Sequence, residues 1–393
     1  MVFPERFSNL PEYAFPRLRR LLDAHEPGAD PIVMTIGEPK HPFPDWVGDV
    51  LAGSLEGFNR YPDNNGVAPL RHAITGWAKK RYGLELDPDR HVLPLNGTRE
   101  GLFNACLALC PETKNGKRPA VLMPNPFYQV YAVAALAVGA EPVYVPATDA
   151  TGNLPDYAAL PADVLDRVTV AYICSPANPQ GAVASRDYWK DLIALAERHD
   201  FQIFADECYS EIYRDTPPPG ALEVAHAVGA HPERVVIFHS LSKRSNLPGL
   251  RSGFAAGGPA SIAQLKQLRS YAGAPLPEPL QAVATRAWSD EDHVIASRAR
   301  YQAKYDIADA VLGDVQGYKP PEAGFFLWLP VQDAEQATLK LWKDTGVRVL
   351  PGHYLAREVN GMTPGSDRIR VAMVVEEEEL QRGLSRLRDC LYG

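Results

Sequence analysis

The chain has 393 residues, with 40 Lys+Arg against 48 Asp+Glu for a net charge of −8, and it is 46% hydrophobic and 22% charged. This ordinary globular composition fits neither a fibre nor a disordered chain, and at roughly 150 residues per domain it suggests two or three lobes. The acidic balance argues against nucleic acid as main partner, because such proteins present a basic face, and no run approaches the roughly 20 apolar residues that span a bilayer.

The first stretch, Met1 to Arg20, is broken by Pro4, Pro11 and Pro16 and lacks the apolar core of a secretion signal. An amphipathic stretch, Phe15 to Leu22, precedes the strand-like run Ile32 to Ile36. From Trp46 to Trp288 short β-branched runs alternate with helical stretches. Strands are predicted at Ala120–Met123, Pro142–Val145, Val168–Cys174, Phe201–Ala205 and Val235–His239. Helices are predicted at Arg99–Leu109, Tyr128–Val138, Tyr188–His199 and Ala221–Val228. Several strand runs are apolar without alternation, as when helices cover both faces of a sheet. This βαβ rhythm predicts an α/β fold with a mostly parallel central sheet in a large domain spanning 46–288.

After Trp288 the pattern changes. A charged helical stretch (Asp290 to Leu312) leads to strand-like runs Gly324–Trp328, Val347–Leu350 and Arg368–Met373, then a helix from Glu376 to Leu391. The acidic run Glu376–Glu379 suits the start of that helix, where negative charge meets the positive end of the dipole. This part, 289–393, reads as a smaller α+β domain to which residues 1–45 return. The cysteines Cys106, Cys110, Cys174, Cys208 and Cys390 are few and scattered, with neither CxxC spacing nor a His cluster. They read as reduced packers in a cytoplasmic protein, with no metal site.

The stretch His239 to Gly253 is the most informative about chemistry. Lys243 follows closely on a buried-type strand, with Ser240 and Ser242 before it and Arg251 after. A neutral lysine amine near an apolar strand is suited to a Schiff base with an aldehyde cofactor, and the hydroxyls and guanidinium to its phosphate. Alone, SxSK reads as a solvated turn. Asp206 ends another apolar strand, where parallel sheets bind ligands, and an Asp there can keep a pyridine nitrogen protonated; the plain alternative is a helix N-cap. Asn96-Gly97-Thr98-Arg99 opens a helix after a strand-like run, a geometry that suits phosphate, although N-G is also a common turn. Asn178 lies just past a third strand end, in another stretch that alone reads as a turn.

Together these stretches, "IGEPKHP" from Ile36, "LNGTREGLF" from Leu95, "PNPFYQVY" from Pro124, "DECYSEIY" from Asp206 and "FHSLSKRSNLPGLRSGF" from Phe238, resemble the class I/II pyridoxal-phosphate aminotransferases from Asn9 to Val375. Within them the chain most resembles the N-succinyldiaminopimelate aminotransferases of lysine biosynthesis. The resemblance implies a fold type I transferase binding pyridoxal 5'-phosphate, with Lys243 as Schiff-base lysine and proton shuttle. Asp206 would pair with the pyridinium nitrogen, Asn178 and Tyr209 with the ring hydroxyl. Tyr128 would stack on the ring, with Phe127 as the adjacent alternative. Thr98, the backbone of Gly97 and Arg99, Ser240, Ser242 and Arg251 would hold the phosphate. Tyr61 resembles the tyrosine that reaches the neighbouring subunit's phosphate, which implies a homodimer with shared sites.

For the substrate, a guanidinium is the natural bidentate partner of an α-carboxylate. The resemblance points to Arg370, although Arg368 lies two residues away and would share its strand face; Gly37 would let the backbone approach the same carboxylate. A succinyl arm ends in a second carboxylate, for which Arg99, Arg17, Lys40 and Arg244 are candidates. Gln180 stands where the family's "NPTG" turn has threonine, and Asn64-Asn65-Gly66 lies where the family varies. The implied reaction exchanges an amino group between glutamate and N-succinyl-2-amino-6-oxopimelate. The alternatives are an aspartate or aromatic aminotransferase, or a C–S lyase on the same cofactor.

Overall fold

The computed structural model describes residues 5–8, 10 and 12–393. Pro4 and Pro11, the start of the family resemblance at Asn9, and the first four residues of the expected small domain lie outside the described residues. In chain order the strands are β1 (Ile32–Val33), β2 (Val92–Leu95), β3 (Ala120–Asn125), β4 (Glu141–Pro146), β5 (Val168–Cys174) and β6 (Gln202–Asp206). They continue with β7 (Val235–Ser240), β8 (Gly253–Gly257), β9 (Phe326–Pro330), β10 (Val347–Arg348), β11 (Leu350–Pro351) and β12 (Arg368–Ala372).

Seven of them form one sheet in the order β2-β8-β7-β6-β5-β3-β4. All its pairings are parallel except the two made by β8. The sheet is buried on both faces, which is why its strands are apolar without alternation. One face packs on Trp77, Trp189 and Trp288; the other, which carries Tyr172 and Phe238, packs on Leu102 and Tyr131.

Strand β8 was not among the sequence expectations. Its sequence, Gly-Phe-Ala-Ala-Gly, has little strand propensity. The glycines are there for close approach: a Cβ on Gly257 would lie 2.8 Å from the carbonyl oxygen of Val235. Because β8 runs against its neighbours, its N-terminal end lies beside the C-terminal ends of β2 and β7.

The chain after Trp288 contributes the strands of a second sheet. β11, β12 and β9 form an antiparallel sheet, around which Ile32, Leu327, Val371 and Leu384 pack. The N-terminal segment joins it: β1 pairs in parallel with β10, and Leu18 and Leu22 of helix Ala14–Leu22 pack with Trp342 of helix Ala334–Thr345. The run Val347–Leu350, expected as one strand, divides at Val349 between two sheets. The strand expected from Gly324 begins at Phe326, and the run Ile32–Ile36 is strand only at Ile32–Val33. The terminal helix, Glu377–Leu391, has Glu376 as N-cap and three glutamates in its first turn.

Candidate active site

The C-terminal ends of five strands face one cleft. Thr98 follows β2, Tyr128 follows β3, Asn178 follows β5, Asp206 ends β6, and Ser240 ends β7. Arg251 reaches the same edge from the start of β8. Arg370 enters from β12 across the gap, and Gly37 from the loop after β1; all line a cavity of about 400 Å³.

Lys243 sits in the short helix Leu241–Arg244 that continues β7. Its Nζ donates to the carbonyl of Gly37 and lies 5.5 Å from the Phe325 ring centre. Burial pulls the amine down to about 8; the cations of Arg370 and Arg251 push the same way, while Cys208 and Glu38 oppose it. A lysine in such a place keeps a substantial neutral, nucleophilic fraction near neutral pH.

Asp206 is buried, and that burial pushes its carboxyl above the usual range, opposed by hydrogen bonds from Cys208 and Tyr131. The Tyr131 hydroxyl donates to Oδ2 at 2.8 Å, and the ring stacks on Tyr172 at 4.4 Å. The Cys208 backbone N–H donates to Oδ1 at 3.3 Å. The carboxylate is therefore fixed in direction. Tyr209 is also buried, set edge-on between Phe325 and Phe326.

At the opposite wall Gly97 adopts φ +87°, and any Cβ there would collide with the Arg251 guanidinium. The glycine thus lets Arg251 close over the start of helix Thr98–Leu109. Ser240 Oγ donates to Ser242 Oγ at 2.9 Å and accepts from the Ser242 N–H at 3.1 Å. Thr98 Oγ1 lies 3.2 Å from Cys208 Sγ. Hydroxyls, a guanidinium and helix N–H groups around one spot make an anion cradle, and with the Lys243 amine and Asp206 they suit an aldehyde cofactor carrying phosphate.

Arg370 is buried. Its Nη1 donates to Asn178 Oδ1 at 3.0 Å and its Nη2 to the Thr35 carbonyl at 2.6 Å, with Phe326 4.4 Å beneath the guanidinium. Among the described residues its Nε has no hydrogen-bond partner, and burial lowers the group to about 10. A buried cation with an unanswered donor in a cleft has the chemistry to accept a carboxylate. Arg368 points elsewhere, pairing with Asp149 at 2.8 Å.

Of the four candidates for a second cation, Arg99 lines the cleft, its Nε donating to the Tyr128 hydroxyl at 2.8 Å. Arg17 pairs with Glu335 at 2.8 Å and covers Tyr354. Arg244 is buried against the Ala287 carbonyl and Glu291, and Lys40 is exposed outside the lining. Phe127 and Tyr128 both line the cavity; Tyr61 lies outside it and is fully exposed. Gln180 donates to the Ala147 carbonyl at 3.2 Å, away from the cleft. Sequence reasoning placed Tyr131 in the same motif as Tyr128 without giving it a role, and passed over Thr35. The hydrogen bond from Tyr131, near the start of helix Gln129–Ala137, to Asp206 joins residues 75 apart in sequence and so leaves no local signal. Thr35 acts through its carbonyl and leaves no side-chain signal.

Compared with known proteins, residues 29–387 match the family described as aminotransferase class I and II. An LL-diaminopimelate aminotransferase of Dehalococcoides mccartyi is 33% identical over 396 residues, covering 98% of each chain. The solved structure of an aminotransferase from Neisseria meningitidis superposes with a TM-score of 0.94 at 36% identity, covering 98% of this chain and 99% of that one. A probable N-succinyldiaminopimelate aminotransferase from Thermus thermophilus gives a TM-score of 0.80 at 28% identity, over 96% of this chain and 100% of that one.

Proposed function

The chain belongs to the class I and II aminotransferases, which are pyridoxal-phosphate enzymes, and from that premise we propose that it exchanges an amino group between glutamate and N-succinyl-2-amino-6-oxopimelate, a step of diaminopimelate and lysine biosynthesis. The observation that carries this reading is that, beside the Arg251 of the anion cradle, two further guanidiniums line the cleft, Arg370 buried and Arg99 exposed, which suits substrates with a carboxylate at each end. The diaminopimelate and N-succinyldiaminopimelate aminotransferases among its relatives support the substrate class.

Bound pyridoxal phosphate supplies an aldehyde carbon and a ring that takes up the electrons released at the substrate α-carbon. Thr98, the backbone of Gly97 and Arg99, Ser240, Ser242 and Arg251 would hold its phosphate, Tyr128 its ring face, Asp206 its ring nitrogen, and Tyr209 with Asn178 its hydroxyl. Asn178 would serve twice: its Oδ1 accepts from Arg370, which leaves its Nδ2 to donate. Arg370 and Gly37 would orient the α-carboxylate. Lys243 would take the substrate's α-proton on Nζ and deliver it to the carbon that the cofactor brings as its aldehyde. Tyr61 of a second copy would complete the phosphate site, in a homodimer with shared sites. The free cysteines suit a reducing cytoplasm, and among the described residues no helix is long and apolar enough to cross a membrane.

A second reading takes LL-diaminopimelate itself as amino donor. Glu38 lines the cleft and would suit the free distal ammonium that the succinyl group removes. Steady-state rates with 2-oxoglutarate as acceptor separate the two. Succinylated diaminopimelate is expected to exceed the free compound in kcat/KM by about tenfold or more, as expected when a polar contact is gained or lost. Equal or reversed values would replace the first reading by the second. Release of pyruvate from cystathionine without an acceptor would point instead to lyase chemistry.

A further inference from the structure

Lys304 is fully buried in the interior of helix Asp292–Leu312 and has no part in the chemistry above. Its Nζ lies 3.0 Å from His41 Nε2 and donates to the Met373 carbonyl at 3.2 Å, with the Tyr301 ring 5.3 Å away. Both partners lead to the substrate cleft. His41 closes the segment Gly37–His41, whose first carbonyl receives the Lys243 amine. Met373 directly follows β12, three residues from Arg370, and its N–H is bonded to the Phe325 carbonyl at 2.8 Å. Between them, Tyr301 packs edge-on to His41 at 5.1 Å and stacks on Phe325 at 5.6 Å. Phe325 and Phe326 in turn lie where a side chain on Gly37 would be.

From these contacts we infer that Lys304 is a positioning residue for substrate binding, tying the Gly37–His41 segment to the end of β12 so that Gly37 and Arg370 keep the spacing a carboxylate needs. Stability gives little reason for this lysine: a buried ammonium that faces a neutral imidazole and a carbonyl is costly to take out of water. The protonation pattern suits the tie. Burial lowers Lys304 to about 8, against the pull of Glu376 and Glu377, while burial and the neighbouring Lys304 lower His41 to about 4. At neutral pH a cationic Lys304 thus donates to the lone pair of a neutral His41. The protonated Nδ1 then faces Glu376, the N-cap of the terminal helix, at 3.9 Å.

The inference rests on the reading that Arg370 and Gly37 hold the α-carboxylate, and not on which oxo acid is used. In the holoenzyme, Lys304→Met is expected to raise KM for glutamate about tenfold with kcat within about twofold, the signature of lost orientation in binding. The visible cofactor band should not change. His41→Leu should match it, and the double variant should be no worse than either single one, because both remove the same tie. Should Lys304→Met not fold, the comparison of His41→Gln, which keeps an acceptor, with His41→Leu takes its place: near-normal KM is expected for the first only. Unchanged KM in Lys304→Met, additive effects in the double variant, or equal KM for the two His41 variants would overturn the inference. Arg370→Ala serves as control. If it raises KM while the Lys304 and His41 variants do not, the positioning role alone fails; if it leaves KM unchanged, the reading of the carboxylate site fails with it.

Discussion

At Lys243 the relevant quantity is the fraction of neutral amine. Burial holds the group at about 8, well below an ordinary lysine, because desolvation penalises the charged form. A group of that kind is about one-tenth neutral at pH 7 and about nine-tenths neutral at pH 9. Only the neutral amine attacks a carbonyl. The rate at which cofactor-free protein acquires its visible band should therefore rise about tenfold between pH 7 and pH 9 and then level off. Stopped-flow absorbance would show this, and a rate still climbing toward pH 10.5, as for an exposed lysine, would contradict the burial argument. Lys243→Ala should not develop the protein-bound band at all. This residue was legible in the sequence because hydroxyls, lysine and arginine follow a buried strand in a long, uncommon pattern. Arg370 was preferred to Arg368 on the family resemblance alone, since residues two apart share a strand face. Only the tertiary neighbours, Asp149 for one and Asn178 with Thr35 for the other, separate them.

A strand turns sequence alternation into a division of labour. Asp206, the last residue of β6, follows Phe204 onto the face that carries Tyr131, whereas Glu207 follows Ile203 and Ala205 onto the face that carries Trp77. Glu207 is buried there, accepts from the Ala221 N–H at 2.7 Å and stands 2.9 Å from His239. Glu207→Ala leaves the buried Ala221 N–H without its acceptor and should lower the unfolding free energy by about 1–3 kcal/mol, the cost of a buried donor left unsatisfied. Asp206→Asn keeps shape and hydrogen-bonding reach, so it should nearly preserve the urea midpoint while abolishing transamination. A reversed pattern, with Asp206→Asn the less stable variant, would mean the two faces have been misassigned. The same alternation explains how the fold could be read. Long apolar runs such as Val168–Cys174 were visible because both sides of the sheet are covered. β8 was not, because its small residues serve backbone approach. β10 and β11 merged because nothing in Val-Arg-Val-Leu marks where one sheet gives way to another.

For the whole molecule, a net charge of −8 says little about a cleft in which Arg99, Lys243, Arg251 and Arg370 converge; local placement decides which ligand is attracted. The chain alone also leaves something unanswered at its surface. Leu55, Phe58 and Tyr61 are 52%, 56% and 100% exposed within one short stretch, while Arg60 ties that stretch down through Glu278 at 2.7 Å. A held turn that projects an uncovered tyrosine suits a contact across a symmetric dimer. If Tyr61 serves the site of the other subunit, Tyr61→Phe should weaken cofactor affinity by about tenfold or more, the effect of losing a hydrogen bond to a charged group. The decisive experiment pairs two impaired chains. Coexpressed Lys243→Ala and Tyr61→Phe subunits, isolated as the mixed dimer through different tags, contain one site with an intact Lys243 and the intact Tyr61 of its neighbour. That site should bind cofactor with wild-type affinity, and the mixed dimer should show about half the wild-type activity at a cofactor concentration where either parent is nearly silent. If each subunit instead supplies its own tyrosine, the mixed dimer contains one site without the lysine and one without the phenol. Activity then stays at the average of the two parents, and the shared-site arrangement is wrong.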